Sequence, residues 1–450
     1  MNFRTGLALL IAVLAIGVAR AHEESTSRFI VRFTADANTR ELLRQHDIDV
    51  MGVDVRKNEI EAFVSQAELD LLRAASAHLV FTFPQSILRG PDPEYMNPQK
   101  VSDRMADIAR RYPDLVQLKK IGESFEKRPI WALKISDNVQ TDELDEPVLF
   151  FNSMHHAREI MTPEVTMDMI EYLVTRYESD AQVRRWVEGS AIWVLPMLNV
   201  DGNHHVWTKD SMWRKNLRGG FGVDLNRNYP TNWNACNGSS GAKWSQTYRG
   251  EFAASEPETV VMMDFVKEIR PVFSISYHAF SEMVLYPYGC RPNRAQMSEV
   301  VEGIGREMGE RLGYSVGTPW ELLYNADGGD IDWLHQEMQV IPYVIEVNSS
   351  AQGGFHPDYA RWRDVTVEKN RAGWMLLLDR ALESGVRGVT EATTVIVKNA
   401  QGQTLTTYRV NPNGTYHLVL VPGDYELVFQ HQARTLRSQR VTVAKDLVSL

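Results

Sequence analysis

Three residues of this 450-residue chain have side chains and positions that could hold one metal ion. His156 and Glu159 stand three positions apart, in a segment that follows a predicted buried strand, so both side chains can face one ion. His278 follows a second predicted buried strand much further along the chain. Two imidazoles and a carboxylate, two close together and one distant, are a usual zinc set that leaves a fourth position for water. The pattern predicts one catalytic Zn²⁺ held by His156, Glu159 and His278.

Each of these residues also has a simpler interpretation. His156 and Glu159 could form a solvated surface pair, because a His-x-x-Glu spacing by itself is weak support for a metal site. His278 could be a hydrogen-bonded histidine of the core. The metal hypothesis is favoured because the pair and the distant histidine both lie at the ends of predicted strands, where α/β proteins bind ligands.

The elements that must position these ligands follow an α/β pattern. Predominantly apolar runs, typical of strands buried on both faces, occur at 148–151, 192–195, 272–275 and 343–345. Long amphipathic segments, typical of helices, occur at 162–178, 256–269, 294–312 and 361–382. Residues 94–383 are therefore predicted to form an α/β domain with a mostly parallel (mixed) central sheet flanked by helices. Thr162, with Pro163 and Glu164 after it, is predicted to cap the first helix.

Two smaller domains are predicted on either side. Residues 27–88 have a β-α-β-β-α-β order, which indicates an α+β, ferredoxin-like module. A stiff Gly-Pro-Asp-Pro linker begins at Gly90. Residues 386–450 show short alternating strands separated by Pro-Asn-Gly and Pro-Gly-Asp turns, which predicts a C-terminal β-sandwich. The N-terminal module is interpreted either as a pro-segment or as a permanent accessory domain.

The N-terminus predicts export. Arg4 precedes an apolar run over 7–18, and Ala19-Arg20-Ala21 then offers a cleavage site between small residues. Residues 1–21 are thus predicted to be a signal peptide, with an uncleaved anchor helix as the alternative. The mature protein is expected to be secreted or periplasmic, without a membrane span. In that oxidising setting Cys236 and Cys290 could form a disulfide, although two free buried thiols remain the alternative.

The composition limits the classes of partner. The chain has 44% hydrophobic residues and a formal net charge of -10. The first value indicates a folded protein, and the second argues against a dedicated nucleic-acid binder. The oligomeric state is open, and a monomer is favoured.

Several ordered motifs resemble those of one family, the zinc metallocarboxypeptidases of the carboxypeptidase A, B and T type. The resemblance covers residues 94–383. Its motifs, in chain order, are Ile121-Gly122-Glu123-Ser124 with Arg128, His156-Ala157-Arg158-Glu159, Trp213-Arg214-Lys215, Gly222-Val223-Asp224-Leu225-Asn226-Arg227-Asn228, His278, Leu285-Tyr286-Pro287-Tyr288-Gly289, Tyr324, Gly328-Gly329-Asp330-Ile331-Asp332-Trp333 and Glu346.

The resemblance implies a role for each site residue. Glu346, at the end of an apolar strand, would be the general base toward zinc-bound water, and Arg214 would stabilise the oxyanion. The terminal carboxylate of a peptide or protein substrate would be bound by Asn226, Arg227 and Tyr324. Arg158 would contact substrate residues upstream of the cut. The implied reaction is hydrolysis of the C-terminal peptide bond with release of single residues.

Specificity follows from the pocket floor that the resemblance places at Ile331. Isoleucine there favours apolar or aromatic C-terminal residues, whereas the neighbouring Asp330 could attract Lys or Arg and give mixed specificity. Gly289 lacks the acid that the resemblance associates with strict basic preference. Phe280 replaces a tyrosine of the digestive enzymes. The resemblance therefore does not fix the details of the subsites upstream of the cut, whereas the implied chemistry is unaffected.

Two other functions remain possible from the sequence. A catalytically dead binding protein would be expected to have lost Glu346, Arg214 or a metal ligand, and all are present. An amidase that uses the same metal site on non-protein acyl-amino acids or cell-wall peptides is the second alternative.

Overall fold

The computed structural model describes residues 28–75, 78–84, 90–383 and 385–450. The predicted signal peptide, residues 1–21, lies outside these ranges. The chain divides into two compact units, Met1–Gly90 and Pro91–Leu450, and each is described by itself.

The first unit is a four-stranded antiparallel sheet with two helices. Its elements are β1 Arg28–Thr34, α1 Ala37–Gln45, β2 Asp49–Asp54, β3 Glu59–Ser65, α2 Gln66–Ala74 and β4 Leu79–Pro84. The strand order is β2-β3-β1-β4. Asp36 caps α1 by accepting the Thr39 N–H, and Ser65 forms a capping box with Glu68 at the start of α2. This chain order and strand order are those of a ferredoxin-like module.

The second unit is built on an eight-stranded mixed sheet. Its strands are β5 Val116–Glu123, β6 Pro129–Ile135, β7 Val148–Ser153, β8 Ala191–Leu195, β9 Phe273–Ala279, β10 Met283–Leu285, β11 Ser315–Gly317 and β12 Ile341–Val347. They lie in the order β11-β10-β12-β9-β7-β8-β6-β5. The four central strands, β12, β9, β7 and β8, are mutually parallel. All residues of β8 and β9 are buried, as expected of strands covered on both faces.

Helices connect and flank these strands. They are α3 Pro98–Arg111, α4 Met161–Arg176, α5 Ala181–Gly189, α6 Val200–Thr208, α7 Pro257–Ile269, α8 Ser298–Leu312, α9 Pro319–Leu322, α10 Asp330–Met338 and α11 Tyr359–Leu382. In the described ranges, no helix combines the length and apolar character needed to cross a membrane.

The predicted cap of α4 is wrong. The helix begins at Met161, two residues earlier than a cap at Thr162 implies, and its N-cap Ile160 makes no side-chain cap. Thr162 lies inside the first turn, where its hydroxyl donates to the Glu159 carbonyl at 2.9 Å. The hydroxyl thus bonds a backbone carbonyl three residues earlier and does not cap the helix N–H groups.

The C-terminal strands form two facing sheets. They are β13 Gly385–Val389, β14 Thr394–Asn399, β15 Thr404–Arg409, β16 Thr415–Val419, β17 Gly423–His431, β18 Arg434–Val443 and β19 Leu447–Ser449. The sheets have the orders β16-β13-β19 and β15-β14-β17-β18. Val386 and Leu418 of the first sheet share a core with Val395, Leu427 and Phe429 of the second. This shared core defines a β-sandwich.

The fold class predicted from the sequence is confirmed: a mixed, centrally parallel sheet flanked by helices, an α+β module before it and a β-sandwich after it. The sandwich belongs to the same compact unit as the α/β body. The predicted boundary between those two, at residues 383–386, stays a prediction.

Candidate active site

The turn that carries His156 and Glu159 follows β7 directly. Met154, at φ 65°, turns the chain out of the strand. The turn is then held from outside, because Ala157 donates its N–H to the Arg214 carbonyl at 2.8 Å and accepts at its own carbonyl from Asn203 at 3.0 Å. Both side chains of the pair are thereby fixed at the carboxyl end of a central strand.

The three predicted metal ligands come together in the structure. His156 Nδ1 lies 2.7 Å from Glu159 Oε1 and 3.1 Å from His278 Nδ1. His278 Nδ1 lies 3.1 Å from Glu159 Oε2. All three residues are buried. They form a group of metal-ligand type with one ligand atom from each residue.

The donor set fits a divalent cation such as zinc. Glu159 Oε2 is buried and, although 3.1 Å from an imidazole nitrogen, has no hydrogen bond of acceptable geometry. The facing nitrogens of two imidazoles can share only a proton or a cation. Ligands at zinc distances in a tetrahedron are about 3.3 Å apart, close to the spacing found here. The arrangement of these three side chains therefore fits coordination of one cation better than it fits hydrogen bonds among them.

The electrostatics of the group point the same way. Burial opposes ionisation of Glu159, but the two imidazoles outweigh it and lower the pKa of Glu159. Burial lowers the pKa of His278, and the negative charge of Glu159 raises it to about 9 against that effect. A buried carboxylate thus draws positive charge to this position, which a bound cation supplies without protonating the imidazoles.

Asp224 supports both a ligand and an arginine, a function that the sequence interpretation missed. Its Oδ1 lies 3.2 Å from His156 Nε2, and its Oδ2 accepts from Arg214 Nε and Nη2 at 3.2 and 2.9 Å. Burial would raise the pKa of Asp224, yet the charges of Arg214 and His156 hold it well below its usual value. A carboxylate on the far nitrogen of a ligand histidine fixes the ring and its tautomer. Its sequence signal was its place in the motif 222–228, two positions before Asn226.

Glu346 stands beside His278. The two residues are register partners on the adjacent parallel strands β12 and β9, so their side chains project from the same face of the sheet. Burial, with the charge of Glu159, raises the pKa of Glu346 to about 7 against the charges of His278 and Arg214. A carboxyl group with a pKa near neutrality can accept and return a proton.

The predicted carboxylate-binding residues form a second cluster. Asn226 and Arg227 lie in the short 3₁₀ turn Leu225–Arg227. Asn226 Nδ2 is 3.5 Å from His278 Nε2, and the guanidinium carbon of Arg227 is 5.9 Å from the centre of the Tyr324 ring. The structure thus places Asn226 beside His278, with Arg227 next in the chain and Tyr324 beside the Arg227 guanidinium.

The remaining predicted residues are buried nearby. Asp330 donates its N–H to Asn226 Oδ1 at 2.9 Å, and its own Oδ1 accepts from Ile331 N at 2.8 Å. Arg158 has no exposed surface and stacks over the Phe355 ring at 4.3 Å. Its expected contact with upstream substrate residues stays a prediction.

His155 is a second residue that the sequence interpretation missed. Its ring stacks on His278 at 5.5 Å, and its Nε2 lies 2.9 Å from the Tyr229 hydroxyl and 3.8 Å from Asp330 Oδ2. Burial lowers the pKa of His155 to about 4, so the ring is neutral. A histidine adjacent to a ligand histidine was visible in the sequence, but its partners are far away along the chain.

The two cysteines are bonded. Cys236 and Cys290 form a disulfide that closes a sequence separation of 54 residues. The bond joins the loop after the Arg227 turn to the loop after β10, which contains Gly289.

Comparison with known proteins identifies the family of the chain. The sequence profile of the zinc carboxypeptidase family (Peptidase_M14) matches residues 101–370. The chain belongs to this family of zinc metallocarboxypeptidases, which are hydrolases.

Individual relatives give the same family. Bovine carboxypeptidase O is 28% identical over 264 residues, covering 56% of this chain and 69% of the relative. Rat carboxypeptidase B is 30% identical over 262 residues, covering 55% and 62%, so the match is somewhat under two thirds of that protein's length.

Solved structures share the fold. Bovine thrombin-activatable fibrinolysis inhibitor, solved with tick carboxypeptidase inhibitor, has a TM-score of 0.58 at 25% identity, over 64% of this chain and 97% of that chain. Carboxypeptidase A from Helicoverpa armigera has a TM-score of 0.67 at 23% identity, over 80% and 98%.

Proposed function

We propose that this protein is a zinc-dependent carboxypeptidase that hydrolyses the C-terminal peptide bond of peptides or proteins and releases single residues. The observation that carries the proposal is the adjacency of two unlike sites. A His-Glu-His metal-ligand group lies within 3.5 Å of Asn226, whose neighbour Arg227 carries a buried guanidinium beside Tyr324. An endopeptidase has no use for a carboxylate-binding cation at that distance.

The residues divide the work as follows. A zinc ion bound by His156, Glu159 and His278 would supply Lewis acidity toward a carbonyl oxygen and water. Asn226, Arg227 and Tyr324 hold the terminal carboxylate and so bring the last peptide bond to the ligand group. Glu346 accepts a proton from the attacking water and returns it to the leaving amine. Arg214, aligned by Asp224, donates hydrogen bonds to the oxygen that becomes negative.

Mass spectrometry of a defined peptide mixture tests the function. We expect stepwise loss of single C-terminal residues, with a metal chelator abolishing the loss and added Zn²⁺ restoring it. Peptides with an amidated C-terminus serve as the control and should remain intact over the same period. Internal cleavage would contradict the proposal, as would an inert protein shown by elemental analysis to contain zinc. Release from acyl-amino acids or cell-wall peptides alone would instead favour the amidase.

Ile331 is proposed to set the preferred terminal residue. It is buried in α10 next to Asp330, and it favours apolar or aromatic residues, with mixed specificity through Asp330. We expect Ile331→Asp to shift the ratio of kcat/KM for Phe-ending over Arg-ending peptides by about 10²-fold toward Arg, because a buried charge repels an apolar side chain and pairs with a basic one.

Asp330→Asn is the companion variant for this measurement. If Asp330 provides the mixed specificity, its neutral isostere should reduce release of Arg and Lys while leaving release of Phe nearly unchanged. An Ile331→Asp enzyme with the wild-type ratio of Phe to Arg release would disprove the assignment of Ile331.

We further propose that the protein is exported, with residues 1–21 as its signal, and that the disulfide forms in that compartment. The module at 27–88 is proposed as a pro-segment, with a permanent accessory domain as the alternative. The N-terminal sequence of the mature, active protein distinguishes the two, because a start near His22 means that the module is retained.

A further inference from the structure

We propose that Asp327 and the Cys236–Cys290 disulfide are a positioning device for Arg227. The inference rests on the proposed function, in which Arg227 binds the substrate's terminal carboxylate. It adds residues that touch neither substrate nor metal and act through the backbone that holds the guanidinium.

The connection begins at a single carboxylate oxygen. Asp327 is fully buried, and its Oδ2 accepts hydrogen bonds from the backbone N–H groups of Cys236 at 3.0 Å and Gly238 at 3.1 Å. The Gly238 carbonyl in turn accepts from Arg227 Nε at 3.0 Å. Hydrogen bonds to an ionised acceptor are about twice as strong as neutral ones. Asp327 therefore fixes the short segment 236–238, whose carbonyl fixes the guanidinium.

Close backbone packing makes this segment rigid. A Cβ built on Gly238 would lie 2.5 Å from the Asn325 carbonyl oxygen, so no side chain fits there. Asn325 also donates from Nδ2 to the Cys236 carbonyl at 3.2 Å. Residues 325–327 directly follow Tyr324, so the segment that supports Arg227 is packed on the segment that carries its partner.

The disulfide adds a third segment to the same contact. Cys290 binds Cys236 covalently, and the preceding Gly289 accepts at its carbonyl from Ala326 N at 3.0 Å. A Cβ on Gly289 would lie 2.1 Å from the Ala326 carbonyl oxygen. Segments 236–238, 289–290 and 325–327 are thus joined by a covalent bond, hydrogen bonds and direct backbone contact.

The position of the guanidinium depends on these segments because an arginine side chain is long and flexible unless its polar atoms are held. Its Nε is held by Gly238 and its Nη1 donates to the Asn226 carbonyl at 2.7 Å. Loss of the Gly238 contact frees the outer torsions of the side chain. Ordering them again at each binding event weakens carboxylate binding but leaves the metal ligands and Glu346 untouched.

The test uses Asp327→Asn in the active enzyme. We expect KM for a free-acid peptide, and the inhibition constant of a free carboxylic-acid product, to rise about 10-fold. The reason is that a misplaced Arg227 guanidinium loses binding energy toward the carboxylate. Turnover, zinc content and inhibition by acetohydroxamate, which needs only the metal, should change less than about 2-fold. Asp168→Asn is the control, because it neutralises a buried partner of Arg371 on α4, outside the three segments, and should leave all these constants unchanged.

The double variant Cys236→Ser with Cys290→Ser provides a second measurement. It should raise the same two constants, and it decides the question if Asp327→Asn does not fold. Unchanged constants in a folded Asp327→Asn enzyme, or in the double variant, overturn the inference. Arg227→Ala separates this failure from failure of the proposed function: if Arg227→Ala raises the product inhibition constant and Asp327→Asn does not, only the positioning device is wrong. If neither variant raises it, the proposed role of Arg227 in carboxylate binding is wrong.

Discussion

Glu346→Gln is expected to lower kcat by about 10³- to 10⁴-fold while KM and the fold stay close to wild type. The substitution keeps the size of the side chain and removes its ability to accept a proton. Glu346 is the register partner of His278, so the variant retains every metal ligand and changes only the group beside them. Burial already raises the pKa of this carboxyl group to about 7, which suits it to proton transfer near neutral pH.

The measurement is kcat on a free-acid peptide, with zinc content determined on the same preparation. Retention of zinc is the necessary control, because a loss of metal would also lower kcat. Glu282→Gln is a matched variant, since Glu282 is an acid outside the ligand group, ion-paired with Lys369, and its loss should leave kcat unchanged. A zinc-loaded Glu346→Gln enzyme with more than about a tenth of the wild-type kcat would refute the role of Glu346 as base.

The sequence predicted the fold and the ligand group for a simple physical reason. Strands covered on both faces are continuous apolar runs, and parallel strands bring their carboxyl ends to one edge of the sheet. His156 and His278 were recognisable because each follows such a run, at the edge where α/β sheets bind ligands. Both of these signals are local in the sequence, and they needed no knowledge of the tertiary contacts.

The residues that support the site were not predictable in this way. Asp224 contacts His156 and Arg214, and Asp327 contacts the backbone of Cys236 and Gly238, at sequence separations of up to 91 residues. A buried aspartate in a loop has no periodicity that reveals its partners. The cap predicted at Thr162 failed for a local reason, since the hydroxyl bonds the Glu159 carbonyl three residues earlier instead of the helix N–H groups.

Arg227→Ala is expected to lower kcat/KM for free-acid peptides by about 30- to 1000-fold, mainly through KM. Truncating one partner of a buried, hydrogen-bonded charge pair costs about 2–4 kcal/mol, which corresponds to that factor. Arg227 is buried, so the carboxylate of a bound substrate would lose its countercharge where little water can replace it. Arg227→Lys should recover only part of the loss, because an ammonium group keeps the charge but not the two parallel N–H donors.

Comparing free-acid peptides with C-terminally amidated ones isolates the role of the guanidinium. The amide has no negative charge, so its far slower cleavage by wild type, measured at higher enzyme concentration and over longer times, should be nearly insensitive to Arg227→Ala. The preference for acids over amides should therefore collapse. Equal losses on both substrates would mean that Arg227 supports the structure and does not bind the carboxylate. Its contacts with Gly238 and Asn226 make that alternative concrete, because removal of the side chain also leaves two carbonyls without their donor. The melting temperature helps to distinguish the structural role from the binding role. A structural role predicts a lower melting temperature together with the kinetic defect in both Arg227→Ala and Arg227→Lys. A binding role predicts a kinetic defect that is confined to substrates with a free carboxylate.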